Sequence, residues 1–240
     1  MLLLALAIAP GIAISLYIYS TDRYEREPLG YLIVSFFLGM ISTIPALTIQ
    51  LLAGDIREKT TSHIILSYAF FAYIIVALSE EGSKFLMLRL YAYPKKAFCE
   101  PFDGIVYSVM VGMGFATVEN IEYVYKFGLG TGIIRFFLSV PAHASFAVLM
   151  GYYAGLAKIN PSRSFWLLCK GIFVAVFFHG TFDFCIFLQQ NERVTEYIST
   201  GLLSFGAFAS FYISFRLAMR AIRMQKALSK QEFEQNHFNN

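Results

Sequence analysis

The amino-acid sequence predicts an all-α, polytopic transmembrane helical bundle of about seven spans, and three observations carry that prediction. Of the 240 residues, 57% are apolar, and they gather in runs such as LLLALAIAPGIAISLYIY; a water-soluble fold would have to expose an enormous apolar surface. The runs last about 20 residues without alternation, which suits helices crossing a hydrocarbon layer of about 30 Å and not the two-residue period of a barrel strand. The charged residues, 15% of the chain, collect mainly in short separators.

The spans follow in order at about 2–19, 29–52, 63–93, 102–126, 133–157, 165–189 and 195–222, each long enough to cross with some tilt. The first lacks a basic leading region and a small-x-small cleavage pattern, so it reads as a retained span. The separators TDRYEREP, GDIREKTTS, PKKAFCEP, KFGLGTG, KINPSRS and QQNERV carry the charge, Gly and Pro expected of interfacial loops. None is long enough for a soluble domain. Residues 1–222 therefore form one transmembrane domain, which any catalytic site must occupy, and residues 223–240, ending QEFEQNHFNN, form a polar cytoplasmic tail.

Charge sets the topology. Assigned to the two sides, the basic residues divide into about 13 on the side of the odd-numbered loops and the C-terminus and about 5 opposite. The N-terminus is then outside and the C-terminus cytoplasmic. A net charge of +3 with no concentrated basic patch gives no nucleic-acid partner. Cys99, Cys169 and Cys185 are odd in number and form no C-x-x-C, so they read as packing residues. No internal repeat of the kind many transporters carry is evident.

Ionisable residues inside spans are the informative exceptions. Glu80, Glu81, Lys84, Glu119, Glu122, His143, His179 and Asp183 fall within or near the expected helices. Four or five such charges, taken independently, would cost on the order of 10–15 kcal/mol on insertion scales. They must share a site, pair, or bind a cation. Glu80 and Glu81 lie four and three residues before Lys84, and one Lys neutralises only one Glu, leaving a carboxylate available as a general base. The alternative is a structural ion pair reaching towards the interface.

Glu119 follows the small-residue stretch VGMG, which admits a neighbouring helix closely, so Glu119 faces protein; Glu122 pairs structurally with Lys126, and Asn120 is an interhelical hydrogen-bonding residue. His143 follows Pro141, which removes a backbone donor and can open the helix around an aqueous cavity. His179 and Asp183 lie four apart on one face, so Asp183 can orient the imidazole or itself reach a metal. Glu119, His143 and His179 sit about 8–12 residues from their outer loops, so their depths match; Glu80 and Glu81 lie deeper, about 18 residues into a long helix. His63 and His237 are bystanders. Glu and His ligands beside an unengaged carboxylate suit zinc, although no H-E-x-x-H occurs.

In order, Glu80-Glu81-x-x-Lys84, Phe115-x-x-x-Glu119, His143 after Pro141, and His179-x-x-x-Asp183 resemble the PrsW family of intramembrane proteases, itself similar to the wider superfamily of CAAX- and bacteriocin-processing membrane proteases with patterns like EExxxR, FxxxH and HxxxN. Against that wider pattern Lys84 arrives one residue early, Glu119 stands for a His and Asp183 for an Asn. The resemblance implies an integral protein of the bacterial cytoplasmic membrane that hydrolyses a membrane-anchored protein, for example in the first cut of an anti-sigma factor. The roles expected are Glu80 as principal base, Glu81 in support, Lys84 neutralising the pair, Glu119, His143 and His179 holding Zn2+ or positioning water, and Asp183 orienting His179. Two rivals make different predictions: a proton- or cation-coupled transporter gives solute flux without cleavage, and an inactive scaffold gives binding alone.

Overall fold

The structure is a computed structural model that describes residues 2–54 and 63–238; the separator expected over 54–62 lies, from residue 55 on, outside the described residues. Its elements are α1 (Leu2–Thr21), α2 (Leu29–Ile41), α3 (Thr43–Ala53), α4 (Ile64–Ala92), α5 (Pro101–Phe137), α6 (Ser139–Ile159), α7 (Ser164–Leu188), the single-turn α8 (Glu192–Thr195) and α9 (Thr200–Phe238). No strand occurs among the described residues. Backbone N–H and C=O groups have no water to bond in hydrocarbon, so each segment satisfies them internally as a helix.

Among the described residues, six helical segments are long and apolar enough to cross a membrane. The fourth, Pro101–Ile159, is 59 residues long, far more than the roughly 20 that one crossing needs. It folds back on itself as a hairpin of α5 and α6, and counting its two legs gives seven traverses. The turn is made at Gly128, whose φ of 81° and ψ of −165° no β-carbon-bearing residue adopts readily, and at Leu138, with φ −120° and ψ −63°. Between them, 129–137 is a short helical connection.

Glycines set how closely the core helices approach. A β-carbon on Gly104 would collide with the backbone of Gly151 and Gly155 across the hairpin, and one on Gly114 with the Phe36 carbonyl of α2. The small-residue stretch before Glu119 therefore does what its composition suggests. The hairpin is the centre of the bundle: Tyr107, Phe102 and Ile105 of α5 pack with Phe146 and Met150 of α6, all almost wholly buried. α1 and α2 cover one side, α7 and α9 another.

Two local features differ from what spacing suggests. Pro141 lies in the first turn of α6, where an N–H would have no partner in any case, so it opens no gap in the helix. α4 changes character along its length: Phe71–Ala77 and Leu88–Ala92 are π-helical, and they flank the α-helical stretch Leu78–Met87. α9 runs unbroken past residue 222; Gln225 donates to the Tyr152 carbonyl at 2.7 Å and Ser229 is buried. The side chain of His237 lies outside the described residues. Cys99 and Cys169 are exposed and only Cys185 is packed, so two of the three cysteines are not the core residues that sequence suggests.

Candidate active site

The α-helical stretch of α4 carries Glu80, Glu81, Ser83 and Lys84, all buried. A helical repeat of 3.6 residues places Glu80, Glu81 and Lys84 on one side. The Lys84 ammonium lies 2.7 Å from Glu81 Oε1 and 3.6 Å from Glu80 Oε2, and 4.0 Å from the centre of the Phe115 ring on α5. Burial without such partners would be prohibitive.

The two glutamates have separate surroundings. Glu80 lines a cavity of about 390 Å³ bounded by α3, α4, α5, α6 and α7. Its Oε1 accepts from Gln50 Nε2 of α3 at 3.2 Å, and its Oε2 accepts no hydrogen bond. Glu81 is 1% exposed and sits behind, with Oε1 taken by Lys84 and by His179 Nδ1 at 2.8 Å. That cavity also receives Glu119, His143, His179 and Asp183, and Lys84, like Glu81, packs against its lining residues from behind. The greater depth of Glu80 and Glu81 proves no obstacle.

His179, on α7, is held at both nitrogens: Nδ1 by Glu81, and Nε2 by Asp183 Oδ2 at 3.2 Å with Glu80 Oε2 at 3.8 Å. The four-residue spacing of His179 and Asp183 brings them together as expected. Phe146 stacks on the His179 ring, centroids 5.2 Å apart and planes inclined by 17°. His143, on α6, stands edge-on to His179 at 5.1 Å, with Nε2 2.8 Å from Glu119 Oε2 and Nδ1 3.3 Å from the Lys84 ammonium.

Glu80, His143 and His179 each bring one ligand-type atom to within 4.8 Å of the others. That is the donor set of a catalytic zinc site, two imidazoles and a carboxylate, and the orphaned Glu80 Oε2 fits it. Glu119 lines the same cavity, beside His143. Its Oε2 lies 2.9 Å from Arg135 Nη2 and 2.8 Å from His143 Nε2. Glu122 and Lys126 form the expected ion pair at 2.6 Å, and Asn120 Nδ2 donates to the Ala7 carbonyl of α1 at 2.9 Å.

Two cavity-lining residues escape sequence reasoning. Arg135 counts there as an outer-loop cation, because spacing does not reveal that the chain turns back at Gly128. Gln50 is a neutral amide near the end of its span, with nothing local to distinguish it from an interfacial residue. Only the tertiary fold brings either one to the carboxylates.

A family model described as PrsW family intramembrane metalloprotease matches residues 27–218. Among curated relatives, Protease PrsW of Geobacillus kaustophilus is 36% identical over 203 residues, spanning 84% of this chain and 86% of its own length. Protease PrsW of Bacillus subtilis is 35% identical over 191 residues, spanning 79% and 84%, and that of Clostridioides difficile 34% identical over 200 residues, spanning 80% and 82%. No solved structure matches the chain.

Proposed function

Because the chain belongs to the PrsW family of intramembrane metalloproteases, we propose that its catalytic centre is the cavity onto which Glu80, His143 and His179 converge. The protein is an integral membrane endopeptidase. The observation that carries the assignment is the convergence of those three donors within 4.8 Å, inside a space of about 390 Å³. At about 30 Å³ per water, such a space admits several waters together with an extended stretch of substrate.

Glu80 is the residue that acts on water. It is the glutamate of the pair that faces the cavity, and its Oε2 is not engaged in a hydrogen bond. It takes a proton as water attacks the scissile carbonyl and returns it to the departing amine. Glu81 and Lys84 form the support: Glu81 grips the His179 ring from behind, and Lys84 offsets the paired negative charge. Asp183 fixes the other edge of that ring. Zinc would be held by His143, His179 and one oxygen of Glu80, leaving the other Glu80 oxygen to take the proton, and would supply Lewis-acid polarisation of the carbonyl and a more acidic bound water. Glu119 acts on His143 from outside this set.

The substrate class is a membrane-anchored protein, such as an anti-sigma factor cut at its first site, and the setting is the bacterial cytoplasmic membrane with the N-terminus outside. Family membership supports this reading. The test is reconstitution of purified protein with a single-pass protein substrate, followed by mass spectrometry of the products. Cleavage by the wild type, lost in a folded Glu80→Gln variant, is the expected result; equal turnover by that variant would overturn the assignment.

A further inference from the structure

We propose that Arg135 is a positioning residue for the active site, anchoring Glu119 so that the His143 imidazole is held with Nε2–H on that carboxylate and Nδ1 on the side of Lys84, beside which Glu80 Oε2 also lies. The inference rests on the reading of Glu80, His143 and His179 given above and adds to it the device that orients one member. The chain delivers Arg135 by an unusual route. After α5 passes Glu119 and Asn120 it breaks at Gly128, and the connection 129–137 turns back over the same end of the helix. Gly132 in that connection packs against the side chains of Leu6 of α1 and Val124, which an added β-carbon would have to displace. Arg135, three residues on, is 8% exposed.

The guanidinium has three partners. Nη2 lies 2.9 Å from Glu119 Oε2, Nε donates to Asn120 Oδ1 at 3.0 Å, and the Tyr123 ring lies beneath it at 4.1 Å. Asn120 is itself tied to the Ala7 carbonyl, so the cation is braced from behind. Glu119 Oε2 meets His143 Nε2 at 2.8 Å. A carboxylate can only accept here, so the imidazole donates from Nε2, and its Nδ1 lone pair is left facing the Lys84 side of the ring. A carboxylate behind an imidazole sets tautomer and ring orientation in this way, and loss of such a partner typically weakens metal affinity or activity by about 10–100-fold.

The competing interpretation is purely architectural: Arg135 could merely fasten the 129–137 connection to α1 through Asn120. The two roles separate by experiment. Zinc affinity by chelator competition, kcat and KM on a membrane-protein substrate, and the 15N imidazole signals of metal-free protein would be measured for wild type, Arg135→Gln, Glu119→Gln, the double variant and Asn120→Ala. Positioning predicts that Arg135→Gln and Glu119→Gln each lose about 10–100-fold in zinc affinity and in kcat, with KM unchanged. The double variant should be no worse than either single one, because both act through His143. The His143 signal should move from a single Nε2–H tautomer in the wild type to a mixture in both variants, while Asn120→Ala, which removes a brace but leaves the Arg135–Glu119 contact, should show a clearly smaller change than Arg135→Gln in all three measurements. Arg135→Lys, which keeps one charged donor, should recover most of the loss.

Additive losses in the double variant, or an Asn120→Ala variant that matches Arg135→Gln, would overturn the proposal in favour of architecture. An unchanged His143 tautomer in Glu119→Gln would do so even if Arg135→Gln failed to fold. Failure of the underlying reading has a different signature: Glu80→Gln would then cleave normally, and the tautomer measurement would still report on Arg135 by itself.

Discussion

Glu80 and Glu81, neighbours in sequence, have divided their tasks: Glu80 lines the cavity beneath Gln50, whereas Glu81 is 1% exposed and bonded to Lys84 and His179 at 2.7 and 2.8 Å. Their replacement by Gln should therefore fail in different ways. Glu80→Gln removes the proton acceptor and should lower the cleavage rate by about 10²–10⁴-fold, with little effect on unfolding in detergent. Glu81→Gln leaves a buried Lys84 cation short of its main partner and should destabilise the fold by about 3–5 kcal/mol, read as a lower denaturation midpoint. Identical stability for the two variants would refute this division.

Metal content distinguishes residues that would hold a metal from those that orient them. Purified without chelators, the wild type should carry about one zinc per chain, as expected of a single catalytic site. His143→Ala and His179→Ala should carry almost none. Glu119→Gln should still load zinc, but with affinity weakened by about 10–100-fold. Complete loss in a folded Glu119→Gln variant would instead make Glu119 a ligand in its own right.

The α5–α6 hairpin offers a stability test remote from the chemistry. A methyl group on Gly104 meets Gly151 and Gly155 backbone, which cannot swing aside as a side chain could. Gly104→Ala should cost about 1–3 kcal/mol through forced separation of the legs. Gly30→Ala, with nothing near its added β-carbon, should be neutral or better, because alanine is the stronger helix former. Thermal midpoints of the two variants check this.

The loop after α1 should confer a pH dependence on stability. Burial pushes the Glu27 carboxyl up to about 7, against the hydrogen bonds from Tyr107 and Asp103, and the Asp22 carboxyl up to about 6. Both groups hold protons more tightly in the folded protein than in the unfolded chain. The folded state is therefore favoured most below the ordinary carboxyl range, and that contribution is lost as pH rises from about 4 to about 7. The melting temperature should fall across that interval, and Glu27→Gln should flatten the fall and be the more stable protein at pH 8. A wild type and a variant with parallel profiles would exclude Glu27 as the source.

The membrane class and the traverses were legible because hydrocarbon imposes a length and a composition on each span, and those survive in a linear reading. Glu80, Glu81, Lys84, His143, His179 and Asp183 were legible because each is costly where it lies. Their grouping followed from that cost. What spacing could not supply was direction. It could not show that Glu80 faces the cavity while Glu81 turns behind His179, nor that the connection after Gly128 carries Arg135 back to Glu119. Pro141 was misread for a similar reason: its effect depends on where α6 begins, six residues later than the apolar pattern suggests.

The π-helical stretch Phe71–Ala77 immediately before the glutamates has an evolutionary consequence. A π-turn holds one residue more than the α-turn it replaces, so the orientation of everything downstream depends on the number of residues inserted and not only on their kind. Rewinding Phe71–Ala77 to α geometry with its number of residues unchanged would turn Glu80 by about 100° relative to the chain before it, with every motif residue still present in the sequence. A homologue one residue shorter here and wound throughout as α-helix would present the same acidic and imidazole groups to the substrate, so a one-residue gap in this segment marks a change of winding and not a loss of the site. The pressure on this segment falls on length and winding together, and apolar replacements that keep the π-turn should be far better tolerated than an insertion, which no return to α winding absorbs.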